Sequence, residues 1–265
     1  MLLIGDGKLA SHLIYYLRTR GLDVVQWSRR RGVIADATAG LPTAAASSRA
    51  RRNALPELLA QADRVLLAIR DDALADFVAQ HRHLSDALWV HFSGSAVVDG
   101  AWSAHPLCTF TGPLYEPERY AAVPFIVEQE GPPLGELIPG LDNPSTAIPR
   151  ANKPLYHALC VAAGNLSQML WQQLFEGFEQ RLGLPAELAL PFLQQSASNL
   201  ERSLPKNDES DVLTGPIVRQ DLGTIQRNLA ALRAANRPEL AEVYEAGVRL
   251  ARVTGGSQAP LAEVA

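Results

Sequence analysis

The chain opens with Leu2-Leu3-Ile4-Gly5-Asp6-Gly7-Lys8-Leu9-Ala10, and no other stretch constrains its architecture so strongly. A short apolar run suited to a strand leads straight into a glycine turn. From Lys8 to Gly21, apolar Leu9, Leu13, Tyr16 and Leu17 recur at helical spacing, with glycine as the stop. The join reads G-x-G-x-x-A, and each small residue has a physical reason. Gly5 permits the tight turn, Gly7 lets backbone N–H groups approach a pyrophosphate, and Ala10 keeps the helix close to the sheet. The unpaired amides and dipole of the helix N-terminus favour the negative charge. In this setting the motif predicts a dinucleotide site built on Gly5, Gly7, Lys8 and Leu9. The alternative is a domain of the same shape that has lost its ligand.

The first half continues the alternation. Strands are expected at 23–28, 64–69 and 87–94, with weaker ones at 124–128 and 145–150. Helices are expected at 56–63 and from Asp71 to His83. Residues 32–53 are rich in Ala, Ser and Arg and read mainly as loop, with Arg49, Arg51 and Arg52 as surface charges. After residue 150 helical periodicity takes over, running about eight turns from Leu155 to Gly183. A second helix is expected at 186–203 and a third from Asp221, its N-cap. Residues 205–211 read as a polar loop and the last eleven as a loosely held tail. The predicted class is α/β: a Rossmann-like doubly wound parallel sheet over 1–150, then an all-helical domain over 151–265 for substrate and dimerisation.

The second strand bears on which dinucleotide binds. An NAD fingerprint places an acid about 20 residues past the glycines, against the ribose 2′-hydroxyl. That place here reads Gln26-Trp27-Ser28-Arg29-Arg30-Arg31. A hydroxyl and guanidiniums suit a 2′-phosphate, so NADP(H) is expected, with Ser28 and Arg29 as ligands. Arg30 and Arg31 read equally as loop charges. Ligands of open α/β sheets bind beyond the carboxyl ends of the strands. Arg70, His91, Ser93, Gly94 and His105 follow or end such strands.

Composition excludes several classes. A net charge of −4 lacks the basic face of a nucleic-acid binder. The opening residues lack the pattern of a signal peptide, and no run approaches the roughly 18 apolar residues of a membrane span. Cys108 and Cys160 are far apart, without metal-ligand spacing, and read as reduced thiols. A cytoplasmic protein that engages neither membrane nor nucleic acid is expected. In the long helix Leu166, Met169, Leu170, Leu174, Phe175 and Phe178 offer more apolar surface than one partner helix covers, pointing to a homodimer or to a buried intrachain helix.

His91-x-Ser93-Gly94, His105-Pro106, Lys153-x-x-Tyr156-His157 with Asn165, and Leu213-Thr214-Gly215-Pro216 with Arg219 and Asp221 carry a resemblance. From Gly5 to about Leu250 the chain resembles Rossmann-like oxidoreductases with a C-terminal helical domain of unknown function. Wider relatives are the pyrroline-5-carboxylate reductases, ketopantoate reductases and β-hydroxyacid dehydrogenases. The resemblance implies an NADP(H) domain, a helical second domain and a cleft between them. It also implies that Lys153, at the start of the first long helix, assists hydride transfer. The β-hydroxyacid dehydrogenases place Asn four residues beyond that lysine, where this chain has His157, so substrate identity does not carry across.

The turn itself supports proton chemistry. Lys153 and His157 are i, i+4 neighbours beside the positive helix end, which with burial depresses their basicity. Lys153 is expected as proton donor, His157 or His105 as helper and Ser93 as orienting group. Gly164 leaves room for a cofactor ring, with Asn165 on a different side of the helix. Tyr156, Thr214 and Arg219 are candidates for substrate contact. The bland alternatives are a solvated Lys153, packing roles for Tyr156 and His157, a helix-entry turn at Thr214, and a structural ion pair at Arg219. The function expected is hydride transfer between NADP(H) and a small keto acid, hydroxy acid or imine. The alternative is a non-catalytic NADP(H)-binding sensor or regulator.

Overall fold

The computed structural model describes residues 1–34, 54–203 and 214–254. The readings of 35–53 (with Arg49, Arg51 and Arg52), of 205–211, of Leu213 and of the tail from 255 lie outside the described residues. The chain divides into two compact units, Met1–Leu170 and Trp171–Ala265. The change of pattern at 150 marks where long helices begin; the compact division falls twenty residues further on.

The first unit is built on an eight-stranded sheet in the order β3-β2-β1-β4-β5-β6-β7-β8. Its strands are β1 (Leu2–Ile4), β2 (Val25–Ser28), β3 (Gly32–Ile34), β4 (Arg64–Leu67), β5 (Leu88–His91), β6 (Trp102–Pro106), β7 (Phe125–Glu128) and β8 (Ser145–Ile148). Neighbours run parallel except at β2–β3 and β6–β7. The helices are α1 (Lys8–Thr19), α2 (Leu55–Gln61), α3 (Leu74–His81), α4 (Pro117–Ala121), α5 (Leu134–Leu137) and α6 (Lys153–Cys160).

Period-two alternation explains the double winding. Leu3, Leu66, Val90 and Ala104 point to one face, where Leu13 and Leu17 of α1 and Leu137 of α5 cover them. Leu2, Ile4, Val65, Leu67 and Trp89 point to the other, under Leu59 of α2 and Leu74 and Val78 of α3. The central strands therefore read as unbroken apolar runs, as strands buried on both faces do.

Strand β6 did not stand out in the sequence. Its segment, Trp-Ser-Ala-His-Pro, reads as a connection, yet β5 and β7 pair it on both sides. The long helix also differs from a plain α-helix. After α6 comes a π-helical stretch, Val161–Leu166, then α7 (Ser167–Gly177) and a second π stretch, Phe178–Leu182, ending on left-handed Gly183. The division between units falls inside α7.

The second unit continues with a 3-10 turn at Ala186–Ala189 and α8 (Leu190–Ser203), α9 (Leu222–Ala234) and α10 (Pro238–Thr254). Asp221 caps α9, its carboxylate accepting the Thr224 N–H at 3.0 Å. Ile225 and Leu229 of α9 pack on Ala241 and Val248 of α10 as a small core.

Candidate active site

The carboxyl ends of β1, β2, β4, β5 and β6 bring the predicted residues of the first unit to one edge. Gly5 has φ +140°, and a Cβ there would lie 2.2 Å from the Ala68 carbonyl oxygen. Only glycine fits that approach. Gly7 is the N-cap of α1, in extended conformation and without a side-chain cap. A Cβ on Gly7 would meet none of the described residues within 4 Å. The first amides of α1 have no partner within the helix, and Lys8 and Leu9 line a cavity, which fits a pyrophosphate. Ala10 is fully buried against the turn.

At the end of β2 the sequence has no acid, but the fold brings one from the glycine loop. Ser28 donates to the Asp6 carboxylate at 3.1 Å, and Arg30 pairs with the same oxygen at 3.2 Å. Arg29 and Arg30 remain exposed beside it. A 2′-phosphate entering here meets guanidiniums and a hydroxyl, with Asp6 competing for both Ser28 and Arg30. Arg70, after β4, is exposed and pairs with Asp72.

Ser93 is a structural knot beyond β5. Its hydroxyl donates to Asp71 at 2.6 Å and accepts the Ala96 N–H at 3.0 Å. Its carbonyl accepts from Ser103 at 3.0 Å and from the Lys153 ammonium at 3.2 Å. Lys153 is 3% exposed, so it does not reach solvent. It lies 3.4 Å from Glu128, which Arg150 approaches at 3.1 Å from the other oxygen. Burial holds the Lys153 pKa below its ordinary value, opposed by Glu128. The direction matches the sequence argument, with desolvation as its main cause. Glu128 escaped the sequence reading; the available signal was an acid closing the apolar run Phe-Ile-Val.

Gly94 fixes the two histidines. A Cβ there would stand 2.5 Å from His157 Cδ2 and 3.1 Å from the His105 ring. The imidazoles pack edge to face with centroids 6.0 Å apart. His105 Nδ1 is 2.7 Å from the Tyr156 hydroxyl. Burial, then the neighbouring His157 and Lys153 charges, lowers the His105 pKa to about 4. Its ring is neutral at physiological pH. His91, fully buried, falls to about 3 for the same leading reason.

A cavity of about 800 Å³ lies in front of these groups, within the first unit. Lys8 and Leu9 of α1 form part of its wall, and His105, Tyr156 and His157 another part. Leu107, Phe110 and Leu159 supply apolar surface. Gly164 and Asn165 both line it. They were expected on different sides of the helix, and the cavity is broad enough to reach both residues. Cys108 and Cys160, both free, also face the cavity, which the sequence reading did not anticipate. Lys153 and Ser93 lie outside its lining. A second hollow of about 760 Å³ sits at the opposite, amino ends of β4 to β6, away from the glycine turn. Thr214 and Arg219 belong to the second unit and are exposed. Among the described residues no group of acidic, His and Cys side chains is arranged to hold a metal.

Residues 127–250 match the family model described as a domain of unknown function, DUF2520. No curated protein matches the chain. Among solved structures, a Bacteroides fragilis protein provisionally described as an NADP oxidoreductase is 21% identical, with TM-score 0.67 over 94% of this chain and 96% of that one. A Thermotoga maritima protein is 22% identical, TM-score 0.62, over 95% and 96%. An imine reductase from Streptomyces aurantiacus is 12% identical, TM-score 0.56, over 94% of both chains. The fold is Rossmann-like with a C-terminal helical region, as the sequence resemblance implied.

Proposed function

We propose that this chain, a Rossmann-like sheet leading into a DUF2520 region, is an NADP(H)-dependent oxidoreductase acting on a small keto acid, hydroxy acid or imine. One observation carries the reading: the amino end of α1 and the His105–Tyr156–His157 group share the wall of a single cavity. A phosphate site alone indicates nucleotide binding, and a histidine–tyrosine group alone is often packing. Their meeting in one cavity of ligand size indicates chemistry on something held beside a dinucleotide. The NADP and imine reductase descriptions among the fold neighbours support the same class by analogy.

When bound, the reduced dinucleotide supplies a hydride. The chain's residues bind and orient. The α1 amides hold the pyrophosphate, while Ser28 and Arg29 select the 2′-phosphate. Leu107, Phe110 and Leu159 offer apolar surface to the substrate, and the histidine–tyrosine wall handles the proton. Two free thiols accord with a cytoplasmic setting. No described helix is long and apolar enough to cross a membrane.

The sensor reading has one observation in its favour. Lys153, the residue that the resemblance marks for catalysis, is turned into Glu128 and the Ser93 carbonyl. Calorimetry with NADPH and NADH, followed by NADPH oxidation across small ketones, keto acids and cyclic imines, separates the two. NADPH is expected to bind at least about tenfold more tightly than NADH, as one or two charge-assisted hydrogen bonds to phosphate imply. Ser28→Ala with Arg29→Ala should erase most of that preference. Absence of NADPH binding would overturn the proposal, and tight binding without turnover would favour the sensor.

A further inference from the structure

Resting on that reading, we infer that Tyr156 is the catalytic residue that protonates the substrate, with His105 as the positioning residue behind it. Lys153 then serves the fold of the Ser93–Gly94 turn. Four groups compete for the proton role, and geometry sorts them. Lys153 is buried, already donates to Ser93 and pairs with Glu128, and does not line the cavity. His157 lines it with its ring against Gly94 and His105. His105 has its Nδ1 committed to the Tyr156 oxygen. Tyr156 lines the cavity, carries a transferable proton, and is held at 2.7 Å by a second side chain.

The protonation states suit this order. The groups facing the Tyr156 hydroxyl are His105 from β6 and Cys160 one turn along its own helix. Burial raises the Tyr156 pKa above its ordinary value, with the Cys160 hydrogen bond acting the same way. The phenol therefore stays protonated at neutral pH. Burial, then the charges of His157 and Lys153, outweighs the opposing Asp71, so His105 stays neutral and carries one N–H. With that hydrogen on Nδ1, the ring donates to the Tyr156 oxygen, and the phenol O–H turns from Cys160 to the substrate when one is bound. The C=O or C=N carbon accepts a hydride from NADPH, which becomes NADP+. The π electron pair moves to oxygen or nitrogen, which takes the phenol proton. The tyrosinate left behind is stabilised by His105 Nδ1–H and regains a proton from solvent through the cavity mouth.

The first test needs no substrate. Nitrogen-15 NMR of the histidine-labelled protein with NADPH bound should show His105 protonated at Nδ1 at pH 7. An unprotonated Nδ1 makes the phenol its donor and overturns the assignment. In turnover with whichever ketone, keto acid or cyclic imine the protein reduces, Tyr156→Phe should lower kcat at least about 100-fold. KM and the NADPH Kd should stay within about threefold, a split that a packing role would not give. His105→Asn, able to donate from a similar place, should retain about ten times the activity of His105→Phe. Wild-type kcat in Tyr156→Phe sinks the inference and leaves the oxidoreductase reading standing. Failure to bind NADPH, or binding without any turnover, sinks both.

Discussion

Gly94, His91 and Lys153 show how much of this site depends on single groups placed out of water. A methyl group at Gly94 would collide with two imidazoles at once. His91 Nδ1 accepts the Ser93 N–H at 3.3 Å, while its Nε2 is buried without a partner among the described residues. Both His91 and His105 have folded pKa values below the usual 6.5, at about 3 and about 4. Between those values and 6.5 the unfolded chain binds more protons than the folded one, so stability rises with pH there. Acidification from pH 6.5 should therefore destabilise the protein, by about 1.4 kcal/mol per pH unit for each ring left uncharged. Urea melts at pH 7, 6, 5 and 4 would check this, with a shallower slope in His91→Asn. An unchanged midpoint across that range would contradict the burial of both rings. From sequence, the depressed basicity of Lys153 was legible, since a cation at a buried helix start is disfavoured whatever surrounds it. Its partner was not. Glu128 is 25 positions earlier, on a strand whose antiparallel pairing nothing local announces.

At the level of elements, the strand–turn–helix at the start was legible because its signals are local: apolar run, two glycines, helical spacing. Its two glycines serve different ends, which substitution can separate. Gly5→Ala forces a Cβ into the Ala68 carbonyl and should cost several kcal/mol or abolish folding. Gly7→Ala meets empty space and an extended backbone, so its melting temperature should stay within about 2 °C of wild type. Its NADPH affinity should instead fall about tenfold or more, measured by calorimetry, because the methyl group occupies the approach to the phosphates. Strand β6 lay beyond such reasoning. Ser103 and His105 are polar, and their place in the sheet depends on partners elsewhere: Ser93 for the first, Tyr156 for the second.

At the scale of the molecule, the helical segments leave large apolar side chains uncovered in each unit. Leu155, Leu159, Leu166 and Met169 are more than half exposed in the first, as are Leu182, Leu188, Phe192 and Leu200 in the second. Large apolar side chains left uncovered on helices suit an interaction surface. A homodimer through the helices is the proposed consequence. Sedimentation should return twice the 28.7 kDa chain mass at micromolar concentration. Leu166→Glu combined with Met169→Glu should shift it to the monomer; a wild-type monomer would remove the proposal. The sequence showed the excess of apolar residues on the long helix but not which of them the chain itself would cover.

The helical turn spanning Val161–Leu166 holds more residues per revolution than the segments on either side. It therefore carries slack. Deleting Ala162 lets this turn tighten to ordinary pitch while the flanking segments keep their own orientations, whereas a deletion within α6 or α7 swings one flank by about 100°. The chain can thus change length by one residue beside the cavity without rebuilding what lies before or after, so size and shape at that wall are open to adjustment where most helices would forbid it.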